Sequence, residues 1–279
     1  MQEEQIQELR DIANDLRCLV LKMVYRAGSG HIGGSLSATD MVAALYFSVL
    51  RVDPARPDWP GRDRFILSKG HACPVVYAAL ARRGFFPEEE LWSLRKLGSI
   101  LQGHPDRLRT PGIDATTGSL GQGISHACGV AMAAKLDGRT NRTYAMIGCG
   151  ESQEGQVWEA AMSAAHYKLD NLVVFQDYNG RQIDGTNEEV MSIAPLAEKW
   201  RAFGWYVQEI DGHNMAEILE AISQAGQEKG KPSVIVARTV KGKGVSFMEN
   251  EAKWHSGAPS EAQYLQAMGE LGCREVANG

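Results

Sequence analysis

The alternation of apolar and polar residues divides the chain into helices and short buried strands. Between residues 6 and 25, apolar side chains recur every three or four positions, and this spacing predicts a helix with one buried face. Short apolar runs that end in glycine or polar residues predict strands, at 65–67, 144–147, 172–175, 206–210 and 233–238. Helical spacing returns at 40–50, 87–97, 124–136, 196–203, 215–227 and 261–271.

Strands that alternate with helices predict the α/β class, with a doubly wound, mostly parallel sheet and helices on both faces. The connecting segments are rich in glycine or proline or lack periodicity, and those at 27–35, 53–61, 101–120 and 240–259 are predicted to be loops. The sequence contains no internal repeat, low-complexity segment or linker. We therefore expect a single domain over residues 1–279, with a loose tail at 272–279.

Composition and charge exclude several classes of partner. A formal net charge of -5 gives no reason to expect nucleic acid or an anionic membrane as a partner. We find no apolar run that approaches the length of a membrane span. The five cysteines are odd in number and scattered, which favours a reducing compartment over a disulfide framework or a structural zinc site. A cytoplasmic location is therefore expected.

The stretch 144–184 has the order strand, glycine turn, helix, strand and polar turn, which is typical of a βαβ unit. Such units bind ligands at the carboxyl ends of their strands, and a strand that ends on glycines before a helix presents backbone N–H groups to an anion. Glu154, Asn179 and the carbonyls around Gly180 and Arg181 are oxygen ligands at one rim. This combination predicts a site for a divalent cation that carries a diphosphate.

Three histidines occur in one repeated context. His31, His71 and His104 each follow a glycine in a loop at the end of a regular element. A single loop histidine is usually an exposed imidazole, but three of them beside glycines, which permit close approach to a ligand, indicate a shared site. Lys241 and Lys243 lie in a later loop, and either they bind phosphate or they form a solvated basic turn.

The central stretch resembles the thiamine diphosphate motif of transketolases, in which Gly-Asp-Gly is followed further along the chain by an asparagine. Gly-Cys-Gly at 148–150 and Asn179 stand at those positions. The helix Glu-Gly-Gln-Val-Trp-Glu-Ala-Ala at 154–161 resembles transketolase more than other thiamine enzymes. The resemblance extends from Ala27 to His255. It implies the fold of the diphosphate-binding, N-terminal half of a transketolase.

The histidines extend this resemblance. His31, His71 and His104 fall where transketolases carry active-site histidines, and His255, in Trp-His-Ser-Gly, resembles the fourth. By this resemblance His71 and His255 lie near the diphosphate, while His31, His104 and His255 contact the hydroxyls and carbonyl of a sugar. The resemblance implies catalysis by these four histidines and cofactor contacts at His71, Gly118, Leu120, Gly150, Glu154, Asn179 and His255.

One residue departs from the family pattern. The metal-binding aspartate of transketolases falls on Cys149, so the ligands implied for the cation are Asn179, the backbone carbonyl of Arg181 and the position that this thiol now occupies. The implied cofactors are thiamine diphosphate and Mg²⁺, or another divalent cation such as Mn²⁺ or Ca²⁺. A thiol is a poor ligand for a hard cation, so either magnesium binds weakly or a thiolate selects a softer metal such as manganese, cobalt or zinc. Asp177 can be explained as a turn residue and is not included in the predicted site.

The resemblance also implies a partner. Transketolases have a second, pyrimidine-binding domain that completes the cofactor site, and we expect that domain to be a separate C-terminal subunit, in an α2β2 assembly. The implied reaction transfers a two-carbon ketol unit from a ketose phosphate to an aldose. Two alternatives stand: the alpha subunit of a 2-oxo acid dehydrogenase, and a degenerate, non-catalytic subunit in which Cys149 has ended cofactor binding.

Overall fold

The computed structural model describes residues 3–273, in which the strands form one five-stranded parallel sheet. The strands are β1 (Arg64–Leu67), β2 (Thr143–Gly148), β3 (Leu172–Tyr178), β4 (Tyr206–Asp211) and β5 (Ser233–Arg238). They lie in the order β1-β2-β3-β5-β4, and every neighbouring pair is parallel. The predicted α/β sheet is confirmed.

Helices cover both faces of this sheet. In the described residues they are α1 (Glu3–Ala27), α2 (Ile32–Ala44), α3 (Cys73–Arg82), α4 (Gln122–Leu136), α5 (Gly155–His166), α6 (Asn187–Val190), α7 (Leu196–Ala202), α8 (Met215–Gln227) and α9 (Glu261–Glu270). A π-helical turn, Leu45–Val49, continues α2, and 3₁₀ turns cover Gly70–Ala72, Glu88–Ser93, Gly150–Gln153 and Ala252–His255.

Alternate side chains of each strand enter two separate cores. Tyr144 and Met146 of β2 belong to one core, whereas Ala145 and Ile147 belong to the other. The first core contains residues of α1, α2, α3, α8 and α9, and the second contains residues of α4, α5 and α7. Because the sheet is covered on both sides, β1, β2, β3 and β5 are largely apolar in the sequence, whereas the edge strand β4 is only partly buried.

The parallel arrangement brings four polar segments to one edge of the sheet. Residues 68–71 follow β1, 149–153 follow β2, 179–182 follow β3, and 239–241 follow β5. Each of these segments begins at a carboxyl end, and the carboxyl ends of parallel strands lie on the same side. This edge therefore carries the candidate site.

The bounds predicted for the second helix are wrong. The glycine-rich stretch 27–35 was expected to be a loop and 40–50 a helix, but α2 begins at Ile32 and includes Gly33 and Gly34. Glycine weakens a helix by about 1 kcal/mol relative to alanine. Here its lack of a side chain is needed, because a Cβ on Gly33 would lie 2.6 Å from the carbonyl oxygen of Trp254. Tertiary packing thus outweighs local propensity.

The structure corrects two further expectations, one about membrane-spanning length and one about the segment 87–97. The helical stretch Ile32–Val49 is long and apolar enough to cross a membrane by composition, although 83% of it is buried inside the protein, as in a core helix. The segment 87–97 contains only a 3₁₀ turn, Glu88–Ser93, instead of the predicted helix. Its buried residues Leu91 and Leu94 are three apart, which matches the three residues per turn of a 3₁₀ helix.

A disulfide joins Cys18 of α1 to Cys273, so the expectation of unpaired cysteines is wrong for this pair. The two residues are 255 positions apart, and their pairing depends on the packing of α1 against α9, where Tyr25 stacks on Tyr264. The predicted loose tail lies outside the described residues from position 274 onward. The single domain over 1–279 stays a prediction.

Candidate active site

Four histidines from distant parts of the sequence meet at the carboxyl edge of the sheet. His31 precedes α2, His71 lies in the 3₁₀ turn after β1, His104 lies in the irregular segment before α4, and His255 ends the last 3₁₀ turn. The ring centroid of His31 is 5.3 Å from that of His71, 6.1 Å from that of His104 and 5.4 Å from that of His255. The rings of His71 and His255 are 5.1 Å apart. The fold therefore brings together the histidines for which a shared site is predicted.

Burial keeps these imidazoles neutral at neutral pH. Desolvation, followed by the charge of Arg95, lowers the pKa of His31 to about 4, and desolvation with the charge of Lys241 lowers the pKa of His255 to about 3. The pKa values of His71 and His104 are also lowered, chiefly by burial. A neutral imidazole has one donor and one acceptor nitrogen. The Nδ1 atom of His31 is buried without a hydrogen-bond partner.

Lys241 belongs to this cluster, whereas Lys243 does not. The side chain of Lys241 is 2% exposed, and its Nζ lies 2.9 Å from Nδ1 of His255 and 3.5 Å from the carbonyl oxygen of Gln182. Burial, followed by the nearby charge of Lys69, lowers the pKa of Lys241 to about 8. Lys243 is partly exposed and pairs with Glu249 at 3.5 Å. The interpretation as a solvated basic residue applies to Lys243, and phosphate binding by Lys241 stays a prediction.

A second buried lysine, which the sequence reasoning missed, is held by a carboxylate. Lys69 is 1% exposed, and its Nζ donates to Asp177 and, at 2.9 Å, to the carbonyl oxygen of Gly34. Asp177 also accepts hydrogen bonds from the hydroxyls of Ser37 and Thr239. Burial alone would raise the pKa of Asp177, but the charge of Lys69 and these hydrogen bonds hold it below its ordinary value. Asp177 is therefore the centre of a buried network and not merely a turn residue.

Glycines allow these groups to come close together. A Cβ on Gly118 would lie 3.3 Å from the ring of His104, which is tighter than ordinary contact, whereas one on Gly34 would lie 3.6 Å from Nε2 of His71, at ordinary contact distance. The N–H of Gly242 donates to the carbonyl of Gly33, and that of Gly257 to the carbonyl of Gly30. These bonds attach the segment that carries Lys241 and His255 to the start of α2.

Glu151, also missed from the sequence, joins three segments at the rim. Its carboxylate accepts the hydroxyl of Ser68 and the backbone N–H groups of Gly121 and Gly148, the latter two at 2.9 and 3.1 Å. These residues lie at the end of β1, before α4 and at the end of β2. An acidic residue within or shortly after a buried strand is the signal that could have identified Asp177, in β3, and Glu151, three residues after β2, because a buried carboxylate needs partners.

The predicted cofactor-binding residues surround this rim. Gly118 lies against His104. Leu120 is half-buried and directly precedes Gly121, whose N–H donates to Glu151. A Cβ on Gly150 would lie 3.7 Å from Oε1 of Gln182. The exposed Glu154 packs against Gly121 at the start of α4. Their roles in binding stay predictions.

The three residues implied as cation ligands lie together, but they form an incomplete set. Asn179 Oδ1 accepts the N–H of Arg181 at 3.1 Å, which holds the amide beside that residue's backbone. Cys149 is 2% exposed, and its Sγ lies 3.5 Å from the carbonyl oxygen of Asp177. Burial raises the pKa of this thiol. Within residues 3–273, no three histidine, cysteine, aspartate or glutamate side chains come together as metal ligands.

The chain is similar to known proteins along nearly its whole length. Residues 9–275 match the family described as transketolase, thiamine diphosphate binding domain. It is 51% identical, over 97% of its own length and 98% of the relative's, to the 6-deoxy-6-sulfo-D-fructose transketolase subunit SqwG of Clostridium sp. (strain MSTE9). It is 44% identical, over 96% and 95% of the two chains, to one of the subunits of the apulose-4-phosphate transketolase of Phocaeicola vulgatus.

Longer proteins match the chain over part of their length. The transketolase of Pongo abelii is 42% identical over 91% of this chain, which corresponds to 40% of that protein. Among solved structures, a transketolase from Leishmania mexicana superposes with a TM-score of 0.90 at 34% identity, covering 95% of this chain and 41% of the other. The chain therefore spans about two fifths of these transketolases and nearly all of the subunit relatives.

Proposed function

Because this chain belongs to the family of transketolase thiamine diphosphate-binding domains, we propose that it is the N-terminal, diphosphate-binding subunit of a split transketolase. The proposed reaction transfers a two-carbon ketol unit from a ketose phosphate to an aldose. The observation that carries the proposal is the cluster of four neutral imidazoles beside Lys241. The full-length relatives named as transketolase subunits favour it over a 2-oxo acid dehydrogenase.

The residues of the pocket suit thiamine diphosphate. Lys241 offers a buried ammonium group to the diphosphate, and His31 offers a buried Nδ1 atom that has no hydrogen-bond partner. Gly150 leaves the space of a side chain open beside Gln182. When bound, the cofactor supplies the carbon nucleophile for breaking and forming the carbon–carbon bond.

The protein's part is to bind, orient and move protons. A neutral imidazole donates from one nitrogen and accepts at the other, so His31 and His104 can hold a sugar hydroxyl and stabilise negative charge on an adjacent oxygen. Their low pKa values mean that they lose no activity through protonation near neutral pH. His71 and His255 lie on the side of Lys69 and Lys241, where the diphosphate is proposed to bind.

A divalent cation is a separate part of the proposed cofactor, and the residues present do not fit magnesium well. Asn179 and the carbonyl of Arg181 are neutral oxygen donors, and the third ligand position is occupied by the thiol of Cys149. Magnesium prefers oxygen ligands and carboxylates. No step of the proposed mechanism is therefore assigned to the metal.

The proposal includes a C-terminal subunit that completes the site, in an α2β2 complex. Support comes from the full-length relatives, which are named as subunits, and from the much longer single-chain transketolases. A native mass that differs from two copies of each subunit contradicts this stoichiometry. A cytoplasmic location is also proposed, and fractionation that finds the protein only in an oxidising compartment, where disulfides persist, contradicts it.

The function is tested on the complex that copurifies with this chain and on the chain alone. We expect ketol transfer between a ketose phosphate and an aldose from the complex and none from the lone chain. His104→Ala in the complex should lower kcat/KM by roughly a hundredfold or more, because a hydrogen bond to the reacting oxygens is lost. His166→Ala, an exposed histidine on α5, is the matched control and should retain full activity.

Three outcomes contradict the proposal. Full activity of the lone chain would exclude the need for a partner. Decarboxylation of a 2-oxo acid by the complex, without ketol transfer, would favour the dehydrogenase alternative. An inactive complex that binds no thiamine diphosphate would favour the degenerate subunit.

A further inference from the structure

The surroundings of Cys149 are arranged for a stronger hydrogen-bond acceptor than a thiol. The backbone N–H groups of Asn179 and Gly180 and the side chain of Asn187 lie against its sulfur. Asn187 is 1% exposed, and its Nδ2 makes no hydrogen bond, although its Oδ1 accepts from Gln182. Sulfur is a weak acceptor, whereas a carboxylate at the same position would use several such donors. The fold thus provides for an anion where the sequence supplies a neutral group.

Neighbouring carboxylates do not replace the missing charge. Asp177 is engaged by Lys69, Ser37 and Thr239, and Glu151 is engaged by Ser68 and by two backbone N–H groups. Both are fully buried beneath the rim. A divalent cation beside Asn179 would therefore meet neutral protein donors, and such a site binds hard cations weakly.

Positive charge for a diphosphate is nevertheless present without any metal. The ammonium group of Lys241 is buried, and the acceptors nearest to it in the structure are an imidazole nitrogen of His255 and the carbonyl of Gln182. Neither acceptor carries a negative charge. An anionic ligand at this edge would complete the coordination of this ammonium group and would gain a charge-assisted hydrogen bond.

We propose that in this chain the binding of thiamine diphosphate is uncoupled from magnesium, because Cys149 withholds the anionic ligand and Lys241 neutralises the diphosphate instead. The inference rests on the proposed function, since it concerns the same cofactor. It assigns to residue 149 the control of metal dependence. Coupling between two ligands is reciprocal, so magnesium should not raise the affinity for the cofactor, and the cofactor should not raise the affinity for magnesium.

The test is a calorimetric titration of thiamine diphosphate into the purified complex that contains this chain and its partner subunit, in EDTA and in excess MgCl₂. For the unaltered chain we expect the two Kd values to agree within about threefold, because little coupling free energy is available. Cys149→Asp restores a carboxylate, and magnesium should then tighten the cofactor by at least about tenfold. Cys149→Ser is the matched control: it is neutral and of similar size, and it should behave like the unaltered chain even if the aspartate variant fails to fold.

The titration has four outcomes that contradict the inference or the proposed function. Tightening by magnesium of about tenfold or more in the unaltered chain overturns the inference while leaving the proposed function intact. Tightening by Zn²⁺ that is lost in Cys149→Ser also overturns it, because the thiol is then a ligand for a softer cation. Binding by Cys149→Asp alone shows that the thiol abolishes the site and overturns metal-independent binding. If no variant binds the cofactor under any condition, the proposed function fails first.

Discussion

Two lysines are buried at the same edge of the sheet, and they differ in the groups that hold their charge. Lys69, after β1, donates to the carboxylate of Asp177, which itself accepts two hydroxyl hydrogen bonds. Lys241, after β5, lies beside the ring of His255 and a backbone carbonyl. Both ammonium groups are nearly inaccessible to water, yet only Lys69 contacts an anion of the protein.

This difference in partners suggests different roles: Lys69 is part of a structural ion pair, and we propose that Lys241 binds a ligand. A buried ion pair with further hydrogen bonds is complete in itself, and breaking it is costly. A buried ammonium group that contacts only neutral acceptors lowers the stability of the free protein. The network around Asp177 thus joins β1, β3 and α2, whereas Lys241 is the group that we propose binds an anion.

The largest effect on stability is expected from removing the negative charge of Asp177, the partner of Lys69. Asp177→Asn leaves the ammonium of Lys69 buried without a carboxylate, and we expect the free energy of unfolding to fall by about 3–5 kcal/mol. Urea denaturation at neutral pH measures the loss.

The control for this variant is an exposed ion pair. Arg201 and Glu198 are 3.4 Å apart with about half or more of each side chain exposed, and Glu198→Gln should cost at most about 1 kcal/mol. A similarly small loss in Asp177→Asn would mean that the buried pair is not structural.

The second effect is the pH dependence that Lys241 contributes to the free energy of unfolding. Its pKa is about 8 in the folded chain and 10.5 ordinarily, so between these values the unfolded chain carries a proton that the folded chain has lost. Stability therefore rises with pH from about 8 to 10.5, by up to about 3 kcal/mol, relative to a variant without this group. Urea denaturation of the unaltered chain and of Lys241→Met at about pH 7 and about pH 10 measures this gain, and parallel curves would contradict it.

A third and smaller effect concerns ligand affinity. Lys241→Met removes a charge-assisted hydrogen bond worth about 1.5–3 kcal/mol, so the Kd for thiamine diphosphate should rise roughly tenfold to a hundredfold. Lys243→Met, whose side chain pairs with Glu249 at the surface, should leave the Kd unchanged. In the unaltered chain the affinity should also fall above about pH 8, where Lys241 loses its proton. Equal losses in both variants would show a general effect of charge.

The fold was largely predictable because its strands are buried on both faces. The run at 233–238 matches β5, since apolar side chains that fill two cores leave a continuous signal, and the partly exposed edge strand β4 matches the prediction at 206–210 within one residue. The start of α2 was missed because Gly33 and Gly34 are poor helix formers locally and are required only by contacts with distant segments. The disulfide was missed for a similar reason, since Cys18 and Cys273 meet only through helix packing.

The candidate site was predictable where a residue type is itself informative. Histidines after glycine and the asparagine after a strand pointed to the edge of the sheet where the structure places these residues. The roles of Lys69 and Asp177 depend on each other, and they are 108 residues apart in sequence. Lys241 and Lys243 are two residues apart in sequence, and only the fold shows that Lys241 lies beside His255 while Lys243 pairs with Glu249.

The smallest predicted effect tests whether the imidazoles beside Lys241 are as neutral as the geometry requires. The unfolded chain takes up a proton on His31 near pH 6.5, whereas the folded chain does so only near its lowered pKa of about 4. Stability from this group is thus lost as the pH falls from 6.5 towards 4, by about 1 kcal/mol at about pH 5 after allowance for partial solvent access. His31→Gln should lose less stability than the unaltered chain between about pH 7 and about pH 5 in urea denaturation, while His166→Gln, on the exposed side of α5, should lose the same. If His31→Gln and the unaltered chain lost stability equally, the imidazole of His31 would take up a proton in the folded protein as easily as in the unfolded chain. The cluster beside Lys241 would then not be neutral as proposed.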